Sequence, residues 1–260
     1  MVNSMINNNP TMHENDIIIA RMNDLASRAI KTGFAASKFL TPAESHSVVE
    51  HFSSRKDVTL IVDGGFENSE RTRAIFTNPD WGEYKRTDLF AALKVKHRPQ
   101  DTLGHRDILG ALIALGLERE TVGDIVLGET VTAFVCLPEL CEYIIDNFTK
   151  AGRVGLEVSA IGLDELPSRR EELTIKTDTV ASLRLDAVLS AAFGISRTKA
   201  TDIIASGYVS LNHQVCLRTD KEVALDSLLS VRGLGRAKLL EIGGLSRKGR
   251  SFIRIGVYGR

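Results

Sequence analysis

Long apolar runs are missing from this 260-residue sequence, and their absence excludes a class of protein. The longest apolar stretch, residues 108–117, is far shorter than the ~20 residues that a membrane-spanning helix needs. The opening, residues 1–16, is polar and rich in asparagine, unlike a signal peptide. We therefore expect a folded cytoplasmic protein with no membrane partner, whose first residues, roughly 12 of them, are flexible.

Cysteine is also scarce. The three cysteines, Cys136, Cys141 and Cys216, show no Cys-x-x-Cys spacing. An odd number of cysteines without that spacing argues against a disulfide framework and against a zinc site. We expect three small buried hydrophobic residues in a reducing compartment, and we expect no metal and no cofactor.

Net charge is absent overall, since 33 lysines and arginines balance 33 acidic residues. The balance is nevertheless uneven along the chain. Residues 181–260 hold 13 basic and 6 acidic side chains, whereas residues 1–180 hold 20 basic and 27 acidic ones. The basic end is the candidate for binding a polyanion such as RNA, with a solvated basic face as the alternative.

Two short amphipathic helices are predicted at the start of this basic end. The first has apolar residues at the i, i+3, i+4, i+7 spacing of one helix face, followed by a capping glycine: Leu185, Val188, Leu189, Ala192 and Gly194. The second has a capping serine, an apolar stripe and a terminal glycine before a strand: Ser196, Ala200, Ile203, Ile204 and Gly207. Arg184, Arg197 and Lys199 lie off the apolar stripes, so they are free to meet phosphates.

This pattern resembles the S4 RNA-binding domain, which is two helices packed on a small sheet. The residues that carry the resemblance are Arg184-Leu185-Asp186, Ser196-Arg197, Ala200, Gly207, Val209 and Asn212. The resemblance implies RNA contact by the cations and by Asn212. The family usually has glycine after this asparagine, but the chain has His213, which we expect to adopt a positive φ in a tight hairpin.

Two further basic segments follow, and we interpret both as loops that contact the RNA backbone. Residues 232–238 place glycines between Arg232, Arg236 and Lys238, and residues 246–250 contain Arg247, Lys248 and Arg250. The first segment lacks the lysine and hydroxyl residue of a nucleotide-binding P-loop. Strands are predicted at residues 226–231 and 252–258.

The middle of the chain predicts a βαββαβ order, which is that of a ferredoxin-like or RRM-like sandwich. The strands are predicted at residues 88–96, 124–127, 131–135 and 154–158, with a hairpin across Gly128-Glu129 and helices at residues 103–117 and 139–150. The aromatic residues that an RRM sheet uses to stack RNA bases are missing. A packing or protein-contact role is therefore an equal alternative for this domain.

The first region predicts helices at residues 16–34 and 42–52, a strand at residues 58–62, and a domain end near Trp81. Gly64-Gly65-Phe66 and Glu70-Arg71-Thr72-Arg73 follow this strand. From the residues alone they indicate a glycine turn with a local ion pair. The predicted protein is α+β, with a small mixed N-terminal domain (1–82), an RRM-like domain (83–165), a linker (166–182) and an S4 domain (183–260).

In order along the chain, these segments are similar to the bacterial YlmH family. The resemblance rests on the glycine pair with Glu70-Arg71 and Arg73, on the stretch from His105 to Gly110, and on the stretch from Gly116 to Ile125, all ahead of an S4 domain. Ser246 stands where the family has threonine. YlmH proteins are related to RqcP and are encoded beside cell-division genes. The resemblance implies a non-enzymatic protein that binds large-subunit ribosomal RNA and tRNA at stalled ribosomes, with other quality-control factors as partners.

Two alternatives stay open from the sequence. S4 domains also accompany pseudouridine synthases and RNA methyltransferases, although no Rossmann fingerprint and no convincing pseudouridine synthase segment is present. The stretch from His105 to Asp107 has the letters of a kinase catalytic loop but lacks that family's other motifs. The third interpretation is a cell-division scaffold whose first two domains bind a protein.

Overall fold

The computed structural model describes residues 12–78, 80, 84–98, 100–127, 131–166 and 173–259. The predicted flexible N-terminus, Trp81 and the Gly128-Glu129 turn lie outside these residues. The chain divides into two compact units, whose described parts are residues 12–166 and 173–259. Helices and antiparallel sheets alternate in both, which confirms the α+β class. Among the described helices, none has the length and apolar character required to cross a membrane.

The first part of the 12–166 unit is a three-stranded sheet with two helices. Its elements are α1 (Met12–Thr32), β1 (Phe34–Leu40), α2 (Pro42–Phe52), β2 (Thr59–Asp63) and β3 (Thr72–Thr77), with sheet order β1-β3-β2. Thr41 caps α2, and Glu44 closes a capping box with it. The two predicted helices and the predicted strand are confirmed. Strands β1 and β3 are additional to the prediction.

The second part of this unit has the predicted βαββαβ order. Its main elements are β4 (Ala91–Lys96), α3 (His105–Ala114), β5 (Val122–Leu127), β6 (Val131–Cys136), α4 (Cys141–Asn147) and β9 (Glu157–Ile161). A small ribbon, β7 (Lys150–Ala151) and β8 (Val154–Gly155), precedes the last strand. The antiparallel sheet order is β5-β6-β4-β9, as in a ferredoxin-like fold. The last strand was predicted about three residues too early, because Val154 belongs to the ribbon.

The C-terminal unit is one six-stranded antiparallel sheet with two helices. Its elements are β10 (Leu173–Val180), α5 (Leu185–Phe193), α6 (Arg197–Ala205), β11 (Val209–Leu211), β12 (Gln214–Val215), β13 (Leu228–Val231), β14 (Gly235–Leu245) and β15 (Ser251–Tyr258). The sheet order is β10-β15-β14-β13-β11-β12. The apolar stripes of both helices are buried in one core with the inward residues of β13, β14 and β15.

Two predictions for this unit need correction. The predicted linker 166–182 contains β10, which pairs with β15 along all eight residues; residues 167–172 lie outside the described chain. The predicted loop 232–238 is a turn only up to Leu234, because Ala237 and Leu239 alternate into the core as part of β14. The boundary predicted between the first two domains, at residue 82, stays a prediction.

Candidate nucleic-acid interface

The two S4 helices begin side by side with their cations exposed. Gly194 ends α5 in the left-handed conformation, at φ 64°, and the Ser196 hydroxyl accepts the backbone N–H of Lys199 at 3.2 Å to cap α6. Both caps were predicted from the sequence. They fix the short connection between the helices, so Arg197, at the start of α6, and Arg184, just before α5, reach the same carboxylate.

That carboxylate is Asp186, which is buried in the first turn of α5. It accepts hydrogen bonds from Arg197 at 2.6 Å and from Arg184 at 3.2 and 3.4 Å. Burial raises the pKa of the Asp186 carboxyl, but the hydrogen bonds from Arg197 and Arg184 outweigh it and the net shift is downward. Asp186 therefore stays ionised and holds two guanidinium groups together.

The two guanidinium groups keep most of their donors for a ligand. The side chains of Arg184 and Arg197 are 44% and 54% exposed, and each guanidinium has five N–H donors, of which Asp186 takes one or two. Lys199 is exposed in the first turn of α6, and among the described residues its side chain has no ion-pair partner. These three cations are the predicted residues that the structure brings together. Planar guanidinium groups bind phosphate with paired hydrogen bonds.

The other predicted site residues lie elsewhere on the sheet. Arg236 and Lys238 lie on the face of β14 opposite the helices, since their neighbour Ala237 points into the core. Lys238 pairs with Asp226 at 3.2 Å, and the Arg236 guanidinium lies over the Tyr258 ring, 4.9 Å from its centre. The ten predicted residues therefore do not form one surface.

The turn between β14 and β15 is the predicted basic turn. Its backbone closes from Ser246 to Arg250, and Arg247 and Lys248 are exposed there. Arg250 is anchored to β10, where its Nε donates to the Thr179 hydroxyl at 3.1 Å. Arg247 and Lys248 are therefore accessible to a ligand, whereas Arg250 anchors the turn to β10.

Asn212 has a structural task in the β11–β12 hairpin. Its side-chain oxygen accepts the backbone N–H of Leu228 at 2.9 Å. Asn212 and His213 have φ values of 48° and 69°, so the expected positive φ at His213 is confirmed. The turn holds β11 against β13, and its contribution to RNA contact stays a prediction.

Two features of this unit are missing from the sequence prediction. Tyr208 is exposed, and the guanidinium of Arg232 lies over its ring at 5.5 Å, which forms a flat cationic surface suited to a base. In the loop that carries Arg218, the carbonyls of Thr219 and Lys221 accept the first two backbone amides of α5, next to Arg184. The basic residues Arg218 and Lys221 could have indicated this loop in the sequence. They did not stand out, because Asp220 lies between them.

The sheet of the RRM-like part offers no open face at its centre. The face that an RRM uses for RNA is the one opposite α3 and α4. Here it packs against the β1–β3 sheet in one apolar cluster that includes Phe39, Phe66, Ile75, Ala92, Ala133 and Val135. Base stacking on the centre of this sheet is therefore blocked within the 12–166 unit.

A buried arginine, Arg73, links the first sheet to the segment that leads into β4. Arg73, 8% exposed, donates to the carbonyls of Ser37, at 2.6 Å, and Leu89. Burial lowers the pKa of Arg73 to about 10, which leaves it charged at neutral pH. Arg73 of this motif therefore binds main-chain carbonyls, and the predicted local ion pair stays a prediction.

Asp124 connects the same motif to the second sheet. Its carboxylate accepts the backbone amides of Glu70 at 2.5 Å and Arg71 at 3.1 Å, and Arg71 in turn donates to the Phe39 carbonyl. A Cβ added to Gly123 would lie 2.8 Å from the Phe39 ring, so this glycine permits the close approach. Two of the segments that resemble YlmH, the one around Glu70-Arg71 and the one that contains Gly123 and Asp124, therefore meet at this contact.

The three cysteines form no disulfide bond with one another. Cys136 is buried, and burial raises the pKa of its thiol to about 12. Cys141 and Cys216 are half-buried rather than buried, and all three thiols are free.

Comparison with known proteins gives matches along most of the chain. Residues 14–81 match the YlmH N-terminal family, residues 93–165 match the putative RNA-binding domain in YlmH, and residues 183–227 match the S4 domain. The chain is 32% identical over 215 residues to the Bacillus subtilis (strain 168) ribosome-associated protein quality control protein P2, covering 81% of this chain and 82% of that protein. The chain belongs to the YlmH family.

A solved structure supports the fold of this YlmH-family chain. The cell division protein ylmH from Streptococcus pneumoniae is similar with a TM-score of 0.51 and 19% identity, covering 60% of this chain and 96% of that one. The S4 match ends at Ser227, so β13, β14 and β15 lie beyond it. The site around Asp186 falls inside the match.

Proposed function

We propose that this YlmH-family protein binds ribosomal RNA of the large subunit through the cation pair at Asp186 and acts in ribosome-associated quality control. The observation that carries the proposal is the pair of exposed guanidinium groups, Arg184 and Arg197, held by one buried carboxylate. The S4 match and the name of the Bacillus subtilis relative support the choice of ribosomal RNA. The protein acts by binding, without bond chemistry.

The mechanism is charge neutralisation at fixed positions. Asp186 removes much of the rotational freedom of both guanidinium groups before RNA arrives, which lowers the entropic cost of binding. Each guanidinium then donates paired hydrogen bonds to a phosphate, and Lys199 adds a third charge. Such contacts orient a rigid RNA surface but do not read its sequence.

The test is co-sedimentation of the Arg184→Ala, Arg197→Ala variant with large subunits over a salt series. We expect weaker retention and a slope of log affinity against log salt that is smaller by about 2, one for each lost phosphate contact. The matched control is Arg21→Ala, Arg28→Ala, which removes the same charge from exposed positions on α1. Unchanged retention of the first variant, or equal loss in both, would overturn the assignment.

We propose further that the bound particle carries tRNA, as a stalled large subunit does. In that setting the S4 domain contacts ribosomal RNA and tRNA together. The test compares retention on purified large subunits with and without peptidyl-tRNA. Stronger retention with peptidyl-tRNA supports the tRNA contact; equal retention contradicts it and leaves the ribosomal RNA contact standing.

A further inference from the structure

One end of the RRM-like part carries a concentration of cations, although the unit around it is acidic. Residues 94–106 contain four lysines and arginines and two histidines against a single acidic residue, Asp101. This segment begins in the second half of β4 and ends at the second residue of α3. This concentration is independent of the covered sheet centre, because it lies where β4 leaves the sheet.

The fold adds two more cations to the same end. Lys96, the last residue of β4, pairs in register with Glu157, the first residue of β9. Arg153, in the turn of the β7–β8 ribbon, is four residues before Glu157, so its backbone lies within about 14 Å of it. Lys150 begins the ribbon, and the ribbon packs against α3, whose first turn holds Arg106.

We call Lys96, Arg98, Arg106, Lys150 and Arg153 the basic end. All five side chains are exposed, and none has an ion-pair or hydrogen-bond partner among the described residues. Nearby acids form no ion pair with them among the described residues: the Asp107 carboxylate accepts the backbone amide of Gly104 at 2.8 Å, and Glu157 does not pair with Lys96.

Some exposed cations of the same unit are paired, although Arg21, Arg28 and Lys31 on α1 form no ion pair among the described residues. Lys38 binds Glu118 and, at 2.6 Å, Glu120. Arg86 binds Asp63 at 2.7 Å. The basic end differs from its surroundings because five exposed cations, without ion pairs in the part of the chain that the structure describes, lie at one end of a single sheet.

We propose that the basic end is a second contact for the sugar–phosphate backbone of ribosomal RNA. The inference rests on the proposed function, because it takes RNA as the ligand of the chain, and it assigns a surface to the domain that the family match names as RNA-binding. Phosphate contacts need flexible exposed cations without sequence readout, which is what the basic end supplies. An acidic protein is the rival occupant.

The experiment uses the full chain and ribosomal RNA extracted from large subunits, with affinity measured by filter binding over a salt series. The test variant is Lys96→Ala, Arg98→Ala, Arg106→Ala. The matched control is Arg21→Ala, Arg28→Ala, Lys31→Ala, which removes equal charge from exposed positions on α1 of the same unit. Circular dichroism confirms that both variants fold.

We expect the test variant to lower the slope of log affinity against log salt by about 3, and the control to change it by less than about 1. The Arg184→Ala, Arg197→Ala variant is measured in parallel. If it weakens binding while the basic-end variant does not, the proposed function stands and the second contact is wrong. Equal loss in test and control, or no binding of the unaltered chain to RNA, also overturns the second contact.

Discussion

The two units use arginine in opposite ways. In the 12–166 unit, Arg73 is buried and Arg71 is half-buried, and both donate to main-chain carbonyls of neighbouring segments. In the 173–259 unit, Arg184 and Arg197 are exposed and share one carboxylate. The residue type is the same in both places, but one pair binds main-chain carbonyls within the protein and the other pair is open to a ligand.

The two pairs of arginines differ in the groups that their guanidinium groups bind. A buried guanidinium between carbonyl oxygens has its donors enclosed by protein, so no phosphate can reach them. A guanidinium on the edge of a buried carboxylate keeps free donors and gains a fixed orientation. Cation counts along a sequence therefore say little about binding until the partner of each cation is known.

The largest effect on stability is expected from Arg73→Met, which removes the buried guanidinium. Methionine keeps much of the volume, but the carbonyls of Ser37 and Leu89 lose their donor. We expect the free energy of unfolding of the 12–166 unit to fall by about 2 to 4 kcal/mol, since each unsatisfied buried carbonyl costs about 1 to 3 kcal/mol. Calorimetry measures the loss, and hydrogen exchange of the β1 and β3 amides locates it.

Arg28→Met is the control, because Arg28 is exposed on α1. A surface change of this kind alters stability by about 0.5 kcal/mol or less. Affinity for ribosomal RNA should stay within about twofold in the Arg73 variant at a temperature where it is folded. A variant of full stability that loses RNA binding would show that Arg73 contacts RNA.

Much of the fold follows from apolar periodicity and caps. The two S4 helices, the α2 boundaries and the βαββαβ order were predicted because buried faces and capping residues leave clear local patterns. Strand β10 leaves none: most of its residues are exposed, and backbone pairing with β15 holds it. Strand β14 was hidden by Gly235, Gly243 and Gly244, which indicate a loop by composition.

The exposed pair, Arg184 and Arg197, is tested by Asp186→Asn, for which we expect a smaller loss of stability. The neutral amide no longer attracts Arg184 and Arg197, so we expect a loss of about 1 kcal/mol in stability at pH 7. The lowered pKa of Asp186 sets the pH dependence: its contribution is present above the unfolded value, about 3.9, and is lost as pH falls through the lower folded value.

Denaturant unfolding of both proteins at several pH values is the measurement. The stability difference between them should begin to shrink below about pH 3.9, where the Asp186 carboxyl of the unfolded chain takes up a proton, and it should be lost below the lower pKa of the folded state. RNA affinity of the variant at neutral pH should also fall, because the guanidinium groups are no longer held. A constant stability difference down to the lowest pH would mean that the charge of Asp186 is not what orients the pair.

The candidate site was only partly visible in the sequence. Arg184, Arg197 and Lys199 could be found because helix periodicity shows which side chains avoid the core. The sharing of Asp186 could not, because it depends on two helices meeting across a turn. The Tyr208–Arg232 pair is also a tertiary contact, since β11 and β13 bring together residues 24 apart in the chain.

The smallest effect sharpens the comparison by keeping charge and changing shape, with Arg197→Lys. Lysine neutralises a phosphate as a point charge but cannot donate a planar pair of hydrogen bonds. If charge neutralisation dominates, the salt slope of RNA binding stays unchanged and affinity falls by about threefold or less. Filter binding compares the RNA affinity of this variant with that of Arg197→Ala. A loss of affinity as large as that of the alanine variant would show that the geometry of the guanidinium held by Asp186, rather than its charge, binds the RNA.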